Sequence, residues 1–152
     1  MEQVESSAQS GASARILVVD DDESNLAVLQ LMLRRSGYAE VHTTSDSSDV
    51  IHLFDTLRPD LLLLDLNMPA PDGYALLGML RERIDRDDLI PVVVLTADAS
   101  SEAKERALGA GAHDFVTKPF DFAELSLRVR NSLALRARHC QLRAHVAAVS
   151  AD

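Results

Sequence analysis

The sequence predicts a doubly wound α/β fold, a parallel sheet with helices on both faces. Two observations carry this reading. Residues 16–19 (ILVV), 61–64 (LLLL) and 92–95 (VVVL) are continuously apolar, as strands covered on both faces must be, whereas a strand with one wet face alternates. Amphipathic stretches of helical length lie between them, and alternation of strand and helix is how a chain builds a parallel sheet. The 152 residues suit one domain.

The elements follow in order. Residues 1–14 are rich in Ser, Ala and Gln and have no periodicity, so a flexible leader is expected there. The first strand, 16–19, leads into a helix over 24–35, with Gly37 as its stop. A weaker strand over 41–44 precedes a helix over 47–57 that must end before Pro59. Strand 61–64, helix 74–83, strand 92–95 and helix 101–108, closed by Gly109, come next. A second weak strand over 114–117 leads to a last helix, from about Asp121 toward Val149. This divides the chain into a leader (1–14), a domain (15–133) and a C-terminal helical extension (134–152), the last either a tail or a linker to a further domain.

Composition narrows the function. The formal charge is -9, from 24 acidic and 15 basic side chains. Residues 1–120 hold 21 acidic and 10 basic groups, net -11, and residues 121–152 hold 3 and 5, net +2. Phosphate backbones are bound by clustered Lys and Arg, so no direct contact with nucleic acid is expected. Cys140 is the only cysteine, which excludes an internal disulfide, and it forms no zinc spacing with His42, His52, His113, His139 and His145. No apolar run approaches a membrane span and the first residues lack a secretory pattern, so a cytoplasmic protein is expected. No P-loop is present, and ATP is not expected as a direct substrate.

Chemistry is sought at the carboxyl ends of the strands, where ligands gather in open α/β sheets. The first strand runs into Asp20, Asp21 and Asp22, the third into Asp65, the fourth into Thr96 and the fifth into Lys118–Pro119. Several carboxylates brought together are costly unless a cation cancels their charge. A hard divalent ion with oxygen ligands, Mg²⁺ above all, suits that role. Lys118, one of only two lysines with Lys104, would add a further charge. A carboxylate can attack phosphorus to form an acyl phosphate if the phosphoryl oxygens are neutralised. Asp65, a metal ion, Lys118 and Thr96 are the groups that step requires. Each residue alone has a plainer reading as helix cap, turn or solvated loop; four together, at the ends of four strands, do not.

These residues resemble the receiver domain of bacterial two-component response regulators. The matching stretches are residues 16–24 (ILVVDDDES), 61–77 (LLLLDLNMPAPDGYALL), 92–98 (VVVLTAD) and 111–120 (GAHDFVTKPF). The resemblance covers about residues 14–133 and implies a flavodoxin-like five-stranded sheet of order 2-1-3-4-5. It implies that Asp65 accepts the phosphoryl group and that Asp20 and Asp21 hold Mg²⁺, together with Asp65 and the backbone carbonyl of Asn67. Asp22 matches the metal pair less well. Thr96 and Phe115 would be the switch residues, Lys118 the ion-pair partner of the phosphoryl group, and Lys118–Pro119 a cis bond. Phe115 stands where tyrosine is common, so an output step using that hydroxyl is not available. Gly73 would close the loop after Asp65, where only a small residue fits. Asn67 and Asp98 would flank the route of the attacking water, with Asp98 either ordering it or simply solvated.

The implied partner is a sensor histidine kinase or a histidine phosphotransfer protein. The tail adds a modest heptad pattern at 125, 132, 139, 146 and 128, 135, 142, 149, from which a homodimer through the C-terminal helix is expected. The alternative for this helix is packing on the sheet through Phe122, Leu125 and Val129, followed by fraying. The stretch LRVRNSLALRARH is also similar to linkers that lead to cyclic-di-GMP phosphodiesterase or cyclase domains. Two rival functions remain at this level. One is an interaction module with a purely structural acidic site. The other is a turnover phosphatase, disfavoured because such enzymes carry a second Asp where Asn67 stands.

Overall fold

The computed structural model describes residues 13–69, 71–85 and 87–151; most of the expected leader, residues 1–12, lies outside them. Strands β1 (Arg15–Val19), β2 (Glu40–Thr44), β3 (Leu61–Asp65), β4 (Val92–Thr96) and β5 (Asp114–Thr117) form one parallel sheet of order 2-1-3-4-5. Helices α1 (Glu23–Arg35), α2 (Val50–Leu57), α3 (Gly73–Arg83), α4 (Ser101–Gly109) and α5 (Phe122–Ala151) connect the strands and close the chain. This is the expected flavodoxin-like doubly wound fold with a long C-terminal helix.

The period of two in a strand explains the continuous apolar runs. Leu17, Val19, Leu62, Leu64, Val92 and Val94 point to one face, where they pack with Val50 and Phe54 of α2, Leu76, Leu77 and Leu80 of α3 and Ala107 of α4. Ile16, Val18, Leu61, Leu63, Val93 and Leu95 point to the other, against Leu26, Leu29 and Leu33 of α1 and Leu125 and Val129 of α5. Every residue of β3 and β4 is buried, while the edge strands β2 and β5 are only partly so. That asymmetry is why the edge strands are faint in the sequence.

Three expectations need correction. The helix expected over 47–57 opens as a 3-10 turn, Ser47–Asp49, because Asp46 accepts from Ser48 N (3.0 Å) and Ser48 Oγ (2.6 Å) and holds the first residues in a tight turn. Gly109 is the last residue of α4 and not its stop. The reversal needs a positive φ, which Gly111 supplies at 117°. Phe122 does not anchor α5 in the core; it is exposed, with the Arg35 guanidinium 5.4 Å from its ring centroid.

Candidate functional site

In-register pairing places the strand ends side by side. Val19 is opposite Leu64, Asp65 opposite Leu95 and Thr96 opposite Thr117, so Asp20, Asp65, Thr96 and Lys118 fall on one rim. Asp20 is fully buried, with N 3.3 Å from Thr44 O. Its Oδ1 accepts from Asp22 N (3.0 Å), and its Oδ2 accepts from Asn25 Nδ2 (3.2 Å). Asp22 itself caps α1, accepting from Ser24 N and Asn25 N, so the third acid of the run has the structural role. The cap turns the chain into α1 and thereby brings Asn25 over Asp20.

Asp65 closes β3 with only 1% of its surface exposed. Its Oδ1 accepts from Asn67 N at 3.1 Å and lies 3.2 Å from Lys118 Nζ. Its Oδ2 is buried without a hydrogen-bond partner, which costs free energy unless something outside the protein satisfies it. Lys118 also lies 3.4 Å from Asp20 Oδ2; the hydrogen bond from its N to Thr96 O, 2.8 Å, sets it beside β4. The Lys118–Pro119 bond is cis. Burial pushes the Asp65 carboxyl up to about 6, with the Asp20 charge adding to the rise and the bonds from Asn67 N and Lys118 opposing it.

Carboxylate oxygens of Asp20, Asp21 and Asp65 all lie within 4.8 Å of one another, and Asp21 is the solvent-facing member. Three hard oxygen donors, one of them a buried orphan, fit a divalent cation such as Mg²⁺. No His or Cys belongs to the group.

Thr96 Oγ1 accepts from Asp98 N (3.0 Å) and donates to Asp98 O (3.3 Å), closing a turn at the end of β4. Asp98 is exposed and accepts from Ser100 N at 2.9 Å; that bond holds its carboxyl below the usual range. Its carboxyl is exposed and tied to the turn before α4. Phe115, half-buried, lies beneath Lys104 Nζ, 4.6 Å from its ring centroid, and 5.6 Å from the Arg128 guanidinium. Gly73 sits against the end of β3: a Cβ there would come 2.5 Å from Asp65 O and Leu66 Cα.

Sequence reasoning missed three residues. Asn25 was visible only as a polar residue one turn into α1. Tyr74 and Arg106, stacked with 3.9 Å from guanidinium to ring centroid, line a cleft of about 280 Å³ with Asn67, Thr96 and Asp98. They come from α3 and α4, and nothing in their local sequence announces the pairing.

The family model of the response regulator receiver domain matches residues 16–130. The chain belongs to the response regulator receiver family. It is 43% identical over 125 residues to transcriptional regulatory protein PrrA of Mycobacterium leprae, covering 82% of this chain and 52% of that one. It is 40% identical over 116 residues to the alkaline phosphatase synthesis transcriptional regulatory protein PhoP of Bacillus subtilis, covering 76% and 47%. The chain thus spans about half the length of these relatives. The receiver domain of sensor histidine kinase PA1611 from Pseudomonas aeruginosa is similar in structure, with TM-score 0.70 and 31% identity over 81% of this chain and 99% of that one. That structure has a magnesium ion coordinated in its active-site cleft. The curated relatives are named as regulatory proteins. Among the described residues of this receiver no helix is long and apolar enough to cross a membrane.

Proposed function

We propose that this receiver takes a phosphoryl group from a phosphohistidine, on a sensor histidine kinase or a histidine phosphotransfer protein, onto Asp65. The observation that carries this reading is Asp65 Oδ2, a buried carboxylate oxygen without a partner beside two further carboxylates and an ammonium. As a purely structural acid it would be poorly satisfied; as a nucleophile it is kept free of competing bonds. Asp20, Asp21, Asp65 and the Asn67 carbonyl would hold Mg²⁺, which supplies neutralisation of charge on the phosphoryl oxygens. Lys118 steadies the Asp65 carboxylate before transfer and would pair with the phosphoryl oxygens afterwards. Thr96 would leave its bonds to Asp98 and donate its hydroxyl to the phosphoryl group, and Phe115 would shift with it.

In this reading the protein catalyses only its own aspartyl phosphorylation and dephosphorylation, and acts by altering a partner or output surface. The exposed Leu135, Leu142, Val146 and Val149 of α5 support a homodimer through that helix, and the boundaries 15–133 and 134–152 separate receiver from extension or linker. The acidic body supports a protein partner over nucleic acid.

The deciding experiment is intact mass after incubation with acetyl phosphate, with and without Mg²⁺, on wild type and Asp65→Asn. A single-phosphoryl gain that needs both Mg²⁺ and Asp65 is expected. A gain that survives Asp65→Asn overturns the assignment. If no gain appears, beryllofluoride titration decides, and failure to bind it means a structural site.

A further inference from the structure

Helix α5 keeps one face on the protein well past the end of the sheet. Leu125, Val129 and Ser132 are buried against it, and the same stripe, at 3.6 residues per turn, continues as Arg136, His139 and Arg143. The stripe therefore changes, where the helix leaves the strands, from Leu and Val to polar side chains that include two guanidinium groups. What it meets there is acidic. Arg136 Nε donates to Asp60 Oδ1 at 2.8 Å, and Arg136 Nη1 donates to Asp88 Oδ1 at 3.0 Å and Leu89 O at 2.7 Å. His139 Nε2 lies 2.7 Å from Asp87 O, and Arg143 Nη1 lies 3.4 Å from Asp88 Oδ1. Asp60 belongs to the loop before β3 and also accepts from Arg15 N at 2.9 Å; Asp87 and Asp88 belong to the loop before β4. These loops lie at the amino ends of the strands, opposite the acidic rim.

We infer that Arg136 and its acidic partners form a clasp that makes the first part of the extension a rigid lever of the domain, not a tether. Arg136 is mostly buried, with 17% of its side chain exposed, and its bonds are charge-assisted. The clasp joins two loops that the sheet already orders, so the entropy of fixing them is not spent again. The consequence lies on the neighbouring face. Leu135, Leu142, Val146 and Val149 are exposed about a quarter-turn from the clasp, and their direction relative to the sheet is held by it. Any surface that reads this stripe thus reads the position of α5, without a flexible joint between. The folded unit then reaches Arg143, ten residues beyond the boundary expected at 133.

Hydrogen–deuterium exchange on the full 152-residue chain tests this, with Asp88→Asn and Arg136→Gln as variants. In wild type, amides of residues 137–146 should exchange slowly; in each variant they should exchange about tenfold faster. Amides of residues 61–65 should not change, which shows that the sheet is intact. Fast exchange of 137–146 in wild type overturns the proposal, because the extension is then a tether. Equal, slow exchange in wild type and both variants also overturns it, because something other than the clasp holds the helix. The outcome does not depend on phosphorylation, so it stands or falls apart from the reading of Asp65.

Discussion

Lys118 reaches across the carboxyl rim of the sheet to Asp65, with Nζ 3.2 Å from Oδ1. The same ammonium touches Asp20 at 3.4 Å, so one cation is shared by the two most deeply buried acids of the site. Replacement by a neutral side chain leaves both charges without it. Lys118→Met is expected to raise the Asp65 pKa further and to cut phosphoryl incorporation from acetyl phosphate at least about tenfold. Time-resolved intact mass reads the second effect, and an unchanged rate would remove Lys118 from the mechanism.

The raised pKa of Asp65 has a consequence for stability without metal. The carboxyl goes from an ordinary 3.8 to about 6 in the folded chain, so between those values the native state binds more protons than the unfolded one. Stability contributed by the protonated form is fully present below about pH 3.8 and is lost as pH rises through about 6. Asp65→Asn lacks this dependence. In EDTA, its advantage over wild type in urea denaturation should grow by roughly 1–3 kcal/mol from acid to neutral pH. A constant difference across that range would contradict the burial penalty.

Lys104 and Arg128 hold the Phe115 ring from α4 and α5, and Arg128 Nε is itself buried without a partner. A cation over an aromatic ring contributes about 0.5–1 kcal/mol at a partly exposed site. If Phe115 moves with Thr96, that contact opposes the move. Lys104→Met should then bind beryllofluoride with Mg²⁺ roughly two- to fivefold more tightly than wild type. Equal or weaker binding would mean that the contact does not oppose the switch.

Gly73→Ala should be costly for a reason unrelated to helix propensity. The added Cβ would meet backbone, Asp65 O and Leu66 Cα, both at 2.5 Å, and backbone cannot rotate aside. A loss of about 2–3 kcal/mol is expected in urea denaturation, with weaker phosphoryl incorporation because the clash displaces Asp65 itself. A loss under about 0.5 kcal/mol would show that the loop between them yields.

Much of this was legible in the linear chain. The buried strands announced themselves because both faces are covered, so no polar position interrupts 61–64 or 92–95. Asp20, Asp65, Thr96 and Lys118 were legible because each directly follows or ends a strand, and parallel in-register pairing brings such ends together. Asp22 was ambiguous for a physical reason: an acid after a strand serves equally as metal ligand or helix cap, and only its bonds to Ser24 N and Asn25 N decide for the cap. Of the heptad positions read from Leu125, Leu125, Ser132 and His139 face the domain, whereas Leu135, Leu142, Val146 and Val149 are exposed. Periodicity tells which residues share a face, not what that face meets.

By itself the sequence determined the alternation of strands and helices and the set of groups at the strand ends. These depend on local period and on order along the chain. Only the tertiary structure decided the unpartnered Oδ2 of Asp65, the Tyr74–Arg106 stack and the Arg136 clasp. Each joins residues from separate elements, and whether such groups meet depends on crossing angles and packing that no single segment encodes.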